Sequence, residues 1–241
     1  MEECEAIPVN VSQMEFYEQY PGYAYAEGPC ECRIQRNAAN RLLSIMEEPD
    51  IPQDCLKFTF DDFSGQALKY AKQLVSGVVY DEVDDTTKRG LLITGPTGTG
   101  KTTLASLVFR AYAERGVTVV WTDFNQLIKR IRATYDDGYT GPSQNQIVEA
   151  ALSAQFLMLD DLGSGTRSEQ RRNSLYAEDA IEAVRQIFNH RLVKQLPTVV
   201  TTNLSKEQLY EQFGDRVISR LRGLCAGAIM FGADFRAPGD R

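Results

Sequence analysis

The octapeptide GPTGTGKT, Gly95 to Thr102, constrains this chain more than any other stretch of it. It fits G-x-x-x-x-G-K-[ST] with no departure, and it stands where that pattern has a physical purpose. The run RGLLIT leads in as a strand and KTTLASLVFRAYAERG leads out as a helix. Glycines let consecutive N–H groups turn inward with no Cβ in the way, which makes a cradle for phosphate oxygens. The helix that follows points its positive N-terminus at the same anion. Lys101 then reaches the β and γ phosphates, and the Thr102 hydroxyl ligates Mg2+. The expectation is an ATP site built from Gly95, Pro96, Thr97, Gly98, Thr99, Gly100, Lys101, Thr102 and Thr103. A mere Gly-rich turn would leave the strand and helix flanks unexplained.

A loop of this kind needs a sheet to stand on. LLITG, VTVVW, FLMLD and PTVVTTN are short apolar runs rich in β-branched residues, separated by longer helical stretches. That alternation predicts an α/β fold, a mostly parallel sheet between helices. The late run GAIMFG reads as one more strand. The strand QFLMLDD, about 60 residues past the phosphate loop, ends in two adjacent carboxylates, and its C-terminal end is expected beside that loop. Two such groups repel unless a cation is near. With Lys101 and Mg2+ at hand, Asp160 is expected to hold the metal and Asp161 to orient or deprotonate the attacking water. The alternative for Asp161 is a polar cap on the next turn.

Two further motifs follow in order. PTVVTTN predicts a strand ending at Thr202 and Asn203, which places a neutral polar side chain near the γ-phosphate. Taken alone it is also ordinary turn chemistry. FGDRVISRLRG carries Arg216 and Arg220 four apart, on one face of a helix. A guanidinium suits phosphate because its planar fork binds oxygens bidentately and keeps its charge. If that helix lies far from the chain's own loop, Arg220 must serve a neighbouring subunit, with ATP at the interface. The competing reading is an exposed basic helix face.

Charge divides the chain. Residues 1–60 hold 11 Asp and Glu against 4 Lys and Arg, whereas residues 61–241 hold 22 of each. This argues against a generally sticky nucleic-acid binder, but not against local basic patches. NQLIKRIRATYDDGY gathers Lys129, Arg130, Arg132 and Tyr135, and TRSEQRR gathers Arg167, Arg171 and Arg172. Either is a candidate contact for single-stranded DNA, or else a solvated helix face. No apolar stretch approaches the roughly 18 residues of a membrane span, and no signal-peptide pattern opens the chain. Five scattered cysteines suit a reducing cytoplasm better than a disulfide framework. The proline-bearing stretch EPDIPQD is the best linker, dividing an N-terminal partner-binding segment, residues 1–56, from an ATPase domain, residues 57–241.

The four motifs in this order resemble the AAA+ ATPases, and more narrowly the family of DnaC/DnaI-type replicative helicase loaders and IstB-like helper ATPases. The resemblance spans roughly residues 58–236, through FTFDDF, LLITGPTGTGKTTLA, FLMLDDLG, PTVVTTNLS and DRVISRLRG. It implies that Phe63 packs on adenine, that Asn203 senses the γ-phosphate and that Arg220 is a finger acting in trans. It also implies a role for Arg236 in ADFRAP. The family's usual second acidic residue is Glu, but a double Asp is common in these loaders, which supports Asp161 as the water-positioning residue. CECRIQRNAANRLL resembles half of the zinc segment found in DnaI-type loaders. A structural zinc needs about four ligands; Cys30 and Cys32 supply two, Cys4 or Cys55 would have to come from elsewhere, and zinc is not expected. The implied function is ATP-dependent loading of a replicative hexameric helicase onto DNA by a self-associating protein. The alternatives are an IstB-like transposition or phage replication helper, and a non-hydrolysing ATP-gated DNA scaffold. A small-molecule phosphotransferase would have no use for the sensor strand and paired arginines.

Overall fold

The computed structural model describes residue 55, residues 57–164 and residues 174–232, with backbone alone over 174–180. Cys4, Cys30, Cys32, Arg167, Arg171, Arg172 and Arg236 lie outside the described residues, as does most of the 1–56 segment. After a 3-10 turn at Phe60–Asp62 come α1 (Gly65–Val75), β1 (Val79–Asp81), β2 (Thr86–Lys88) and β3 (Gly90–Thr94). Then follow α2 (Lys101–Glu114), β4 (Val119–Asp123), α3 (Phe124–Ala133), α4 (Gln144–Ser153) and β5 (Phe156–Asp160). The remainder is α5 (Ser174–Lys194), β6 (Thr198–Thr202), α6 (Lys206–Leu224) and β7 (Cys225–Ile229).

Among the described residues, five strands form one parallel sheet in the order β4-β5-β6-β3-β7. Side chains alternate between its two faces. Leu91, Ile93, Phe156 and Met158 pack with α1 and α2, whereas Leu157, Leu159 and Val200 pack with α3, α5 and α6. A strand buried on both faces needs an unbroken apolar run, and β5 is buried at all five positions. Edge-on contacts of Phe109 with Trp121 and Phe156, and a stack of Tyr112 on Phe156, fasten α2 to the sheet. The alternation of sequence runs implies this architecture; the strand expected at GAIMFG starts earlier, at Cys225, and ends at Ile229.

Three features depart from the plain expectation. The phosphate-loop strand β3 is flanked by β6 and β7, so β6 stands between it and the aspartate strand β5. A small antiparallel hairpin, β1 with β2, precedes β3; its three-residue strands are too short to show a period. Finally, the arginine-bearing helix α6 is not continuous. Gly214 has φ 73° and ψ 167°, outside helical space, and breaks it. All five sheet strands run the same way, so their C-terminal ends share one edge. Thr94 of β3 is level with Thr202 of β6, and Asp123 of β4 with Asp160 of β5. Chemistry-bearing residues from four strand ends meet there.

Candidate nucleotide site

The loop after β3 turns on glycine. Gly95, Gly98 and Gly100 have φ of 148°, 85° and 85°, conformations that side chains strain to adopt. At Gly95 a second reason applies: an added Cβ would lie 2.2 Å from the Met230 carbonyl oxygen, where the chain leaves β7. The loop's interior polar groups are drawn together. Pro96 O accepts from Lys101 Nζ at 2.6 Å and from Thr99 Oγ1 at 2.9 Å. Lys101 is only 6% exposed. Its ammonium has three donors, so it can keep Pro96 and still reach phosphate oxygens in the cradle.

The C-terminal end of β5 lies beside this loop, as expected, and Asp160 makes the contact. Thr102 Oγ1 donates to Asp160 Oδ1 at 3.0 Å, across the intervening strand. Thr201 Oγ1 donates to the same oxygen at 2.5 Å, and the Asp161 N–H returns a bond to Thr201 Oγ1 at 2.9 Å. Asp160 is 7% exposed, and burial pushes its carboxyl up to about 6, with Asp161 and Asp123 adding to the rise. The two hydroxyl bonds oppose that shift without cancelling it.

Asp161 opens the turn that follows β5. It sits at φ 52°, in the left-handed region, which costs on the order of 1 kcal/mol for a residue other than glycine. The turn is held there from β6. Leu162 N donates to Thr201 O at 2.8 Å, and Thr202 Oγ1 donates to Leu162 O at 2.7 Å. Asn203 Nδ2 then donates to Asp161 Oδ1 at 2.6 Å. Asn203 itself is exposed at the sheet edge.

The donor set suits Mg2+. A hydroxyl and a carboxylate are hard oxygen ligands, and Mg2+ typically takes one or two protein groups, substrate phosphates and several waters. The Thr102 hydroxyl gives its hydrogen to Asp160, which leaves its lone pairs for a cation. Among the described residues no cluster of three His, Cys, Asp or Glu forms an all-protein metal cage.

A family model for IstB-like ATP-binding proteins matches residues 35–221. The chain belongs to the IstB-like ATP-binding family. Among curated proteins it is 22% identical over 192 residues to the replicative helicase loader DnaC of Buchnera aphidicola, covering 80% of this chain and 74% of that one. The replicative helicase loader DnaI of Bacillus subtilis is 23% identical over 219 residues, 87% of this chain and 67% of the relative. Among solved structures, the DnaC helicase loader superposes with a TM-score of 0.57 at 24% identity, covering 75% of this chain and all of that one. The fold is that of the AAA+ P-loop ATPases.

Around this IstB-like core the remaining candidates are placed as follows. The lead-in to α1 lies along the start of α2, where the Cys55 thiol donates to Thr103 Oγ1 at 3.6 Å. Phe63 is half-buried, 6.4 Å from the Phe58 ring, and packs on the α1–α2 side of the core, as do Phe60 and Met230. Arg216 and Arg220 are both exposed and share a depression with Arg185, Asp215 and Ser219 between α5 and α6. The groove beside Gly95, Pro96 and Asn203 is lined by a different face of α6, through Leu209, Ile218, Leu221 and Arg222. On α3, Lys129 and Arg130 face solvent opposite buried Leu127, Ile128 and Ile131. Arg132 is half-buried, and Tyr135 donates its hydroxyl to Gln144 Oε1 at 2.9 Å. Lys129, Arg130 and Tyr135 are exposed; Arg132 is the member of that group drawn inward. Cys55 and Cys225 are both buried, and neither is in a disulfide.

Two residues stand out that the motifs did not mark. Thr201 touches both aspartates. Arg191 is fully buried, and its guanidinium donates to Thr198 Oγ1, Ala151 O, Ala154 O and Pro197 O at 2.7 to 2.9 Å. Those bonds pin the start of β6 to the end of α4. The signal for Thr201 is the polar run TTN that ends β6 and begins the following turn; for Arg191 no sequence signal exists.

No helix among the described residues is long and apolar enough to cross a membrane.

Proposed function

We propose that this chain is an ATP-hydrolysing helicase-loader ATPase that works on single-stranded DNA as an oligomer. The observation that carries the reading is the hydrogen bond from Thr102 to Asp160 at 3.0 Å, which unites the phosphate loop with the acidic strand end. When bound there, Mg2+ supplies charge for the β- and γ-phosphates. Lys101 neutralises the same oxygens, and Asp160 with Thr102 holds the metal in place. Asp161, gripped by Asn203, orients the attacking water and accepts its proton. A γ-phosphate near Asn203 competes for its amide, which links nucleotide state to the Asp161 carboxylate.

Arg220 serves the site of the next subunit. Its support is the separation of the Arg216–Arg220 depression from the groove at the chain's own phosphate loop. Residues 1–56 form the partner-binding segment and residues 57–241 the ATPase domain, with a replicative hexameric helicase as the partner and the cytoplasm as the place of work. Lys129 and Arg130 contribute weak, salt-sensitive DNA contacts that assembly multiplies. Transposition and phage replication helpers share the same catalytic arrangement and differ in the partner.

The test is ATP turnover with and without single-stranded DNA, at protein concentrations that permit assembly. Activity in the wild type that disappears in Lys101→Ala, and in Arg220→Ala but returns when Arg220→Ala is mixed with Lys101→Ala, supports hydrolysis in trans. No turnover under any condition rejects hydrolysis in favour of an ATP-gated scaffold. Failure to bind a hexameric helicase in every nucleotide state rejects the loader role.

A further inference from the structure

The side chain that joins the two aspartates is a threonine on another strand. A hydroxyl has one hydrogen and two lone pairs. Thr201 sends its hydrogen to Asp160 Oδ1 and takes the Asp161 N–H on a lone pair, at 2.5 and 2.9 Å. It is 1% exposed, so water does not compete for either bond. On the opposite side, Thr102 donates to the same Oδ1. Hydroxyls from α2 and β6 thus fix one oxygen of Asp160. The second bond of Thr201 braces the left-handed backbone of Asp161, while Asn203, just past the end of β6, holds its carboxylate.

We infer that Thr201 is a positioning residue for the ATPase reaction, setting the rotamer of Asp160 and the backbone of Asp161 through a single hydroxyl. The inference rests on the hydrolysis reading above. Thr201 touches neither nucleotide nor metal itself; it acts through both carboxylates. Its β-methyl alone would not do this, which separates it from a residue retained for packing. The same strand supplies a control: Thr198, equally buried at the other end of β6, accepts from Arg191 and donates to Leu196 O. Both threonines carry two hydrogen bonds in the core, but only one of them faces the aspartates.

The experiment compares Thr201→Val, Thr201→Ser and Thr198→Val with the wild type. Four readouts are taken: thermal melting, binding of a fluorescent ATP analogue without metal, the Mg2+ titration of that binding, and steady-state turnover. In Thr201→Val, metal-free binding stays within about twofold, the Mg2+ midpoint rises about tenfold and kcat falls about 10- to 100-fold. KM changes by less than about threefold, because the loss falls on the reacting arrangement. Thr201→Ser recovers most of kcat and the Mg2+ midpoint. Thr198→Val lowers the melting temperature while leaving kcat and the Mg2+ midpoint near wild type. The inference is overturned if Thr201→Val keeps wild-type kcat, or if Thr198→Val loses as much. Failure of a folded Thr201→Ser to recover function also overturns it. Should Thr201→Val not fold, Thr201→Ala carries the same expectation. If the wild type turns over no ATP, the hydrolysis reading falls, and an unchanged Mg2+ midpoint in Thr201→Val then rejects the inference independently.

Discussion

The two ends of β6 place buried polar groups at similar depth and use them for opposite purposes. At the start of the strand, Arg191 is enclosed by carbonyls and the Thr198 hydroxyl, with four acceptors around its guanidinium. At the finish, Asp160 is held by two hydroxyls and has two other carboxylates close enough to raise it. Burial pushes each toward its neutral form, Arg191 down to about 10 and Asp160 up to about 6. The difference lies in where those values fall. Arg191 stays charged at any physiological pH, and its bonds make it a fixed staple. Asp160 is left near the point where a proton or a cation decides its state. A closed, satisfied end gives structure; an end with surplus negative charge is one that, on the function proposed above, a metal and an ammonium would complete.

The largest expected effect tests the open end. Asp160→Asn should lower ATP turnover by about 10^3-fold, since the amide keeps an acceptor for the hydroxyls but no charge for the metal. Its unfolding midpoint in urea should hold or rise at pH 7.5, where the wild type carries a buried carboxylate. A matching loss of stability would erase the contrast between the two ends.

Next comes the staple. Arg191→Met should cost about 3–5 kcal/mol by urea unfolding, because three carbonyls and a hydroxyl lose their donor in the core. Turnover per folded molecule should stay within about twofold at low temperature. A variant that stays stable but loses activity would mean that both ends of β6 serve catalysis.

The pH dependence is somewhat smaller and has a definite sign. The folded chain holds the Asp160 proton to about pH 6, whereas an unfolded Asp releases it near 3.8. Between those values the folded state binds more protons, so this group's contribution to stability falls as pH rises. The loss should total about 3 kcal/mol in nucleotide-free protein, and Asp160→Asn should abolish that component. Mg2+ with ATP should offset it above pH 6. Urea melts from pH 4 to 7, with and without the ligands, measure both.

The smallest effect concerns the outer face of α3, where burial plays no part. Lys129→Ala with Arg130→Ala should leave turnover without DNA unchanged and weaken single-stranded DNA binding. The slope of log affinity against log salt should become shallower by about 0.7 for each phosphate that is no longer neutralised. An unchanged slope would show these two residues to be a solvated face.

Legibility followed the range of the interactions. The phosphate loop is a local device: its glycines, lysine and threonine act within eight residues, so their spacing alone announces it. Asp160 could be read from the apolar run that ends at it. Arg216 and Arg220 could be placed on one face by helical period, although the break at Gly214 before them could not. The β1–β2 hairpin escaped because strands of three residues carry no period to read.

By itself, then, the sequence determined the α/β class, the strand-to-loop-to-helix context of the ATP site, the order of its motifs and the family they belong to. Only the tertiary structure decided which of the hydroxyls in TTN grips the aspartates, because that depends on the register of β5 against β6. A slip of one residue would turn Thr201 to the other face and bring a neighbour in its place. The same holds for Arg191, which by residue type belongs on a surface and by packing lies among α4, α5 and β6. Local chemistry is written in adjacent letters; a buried hydrogen bond between distant strands exists only once the sheet has formed.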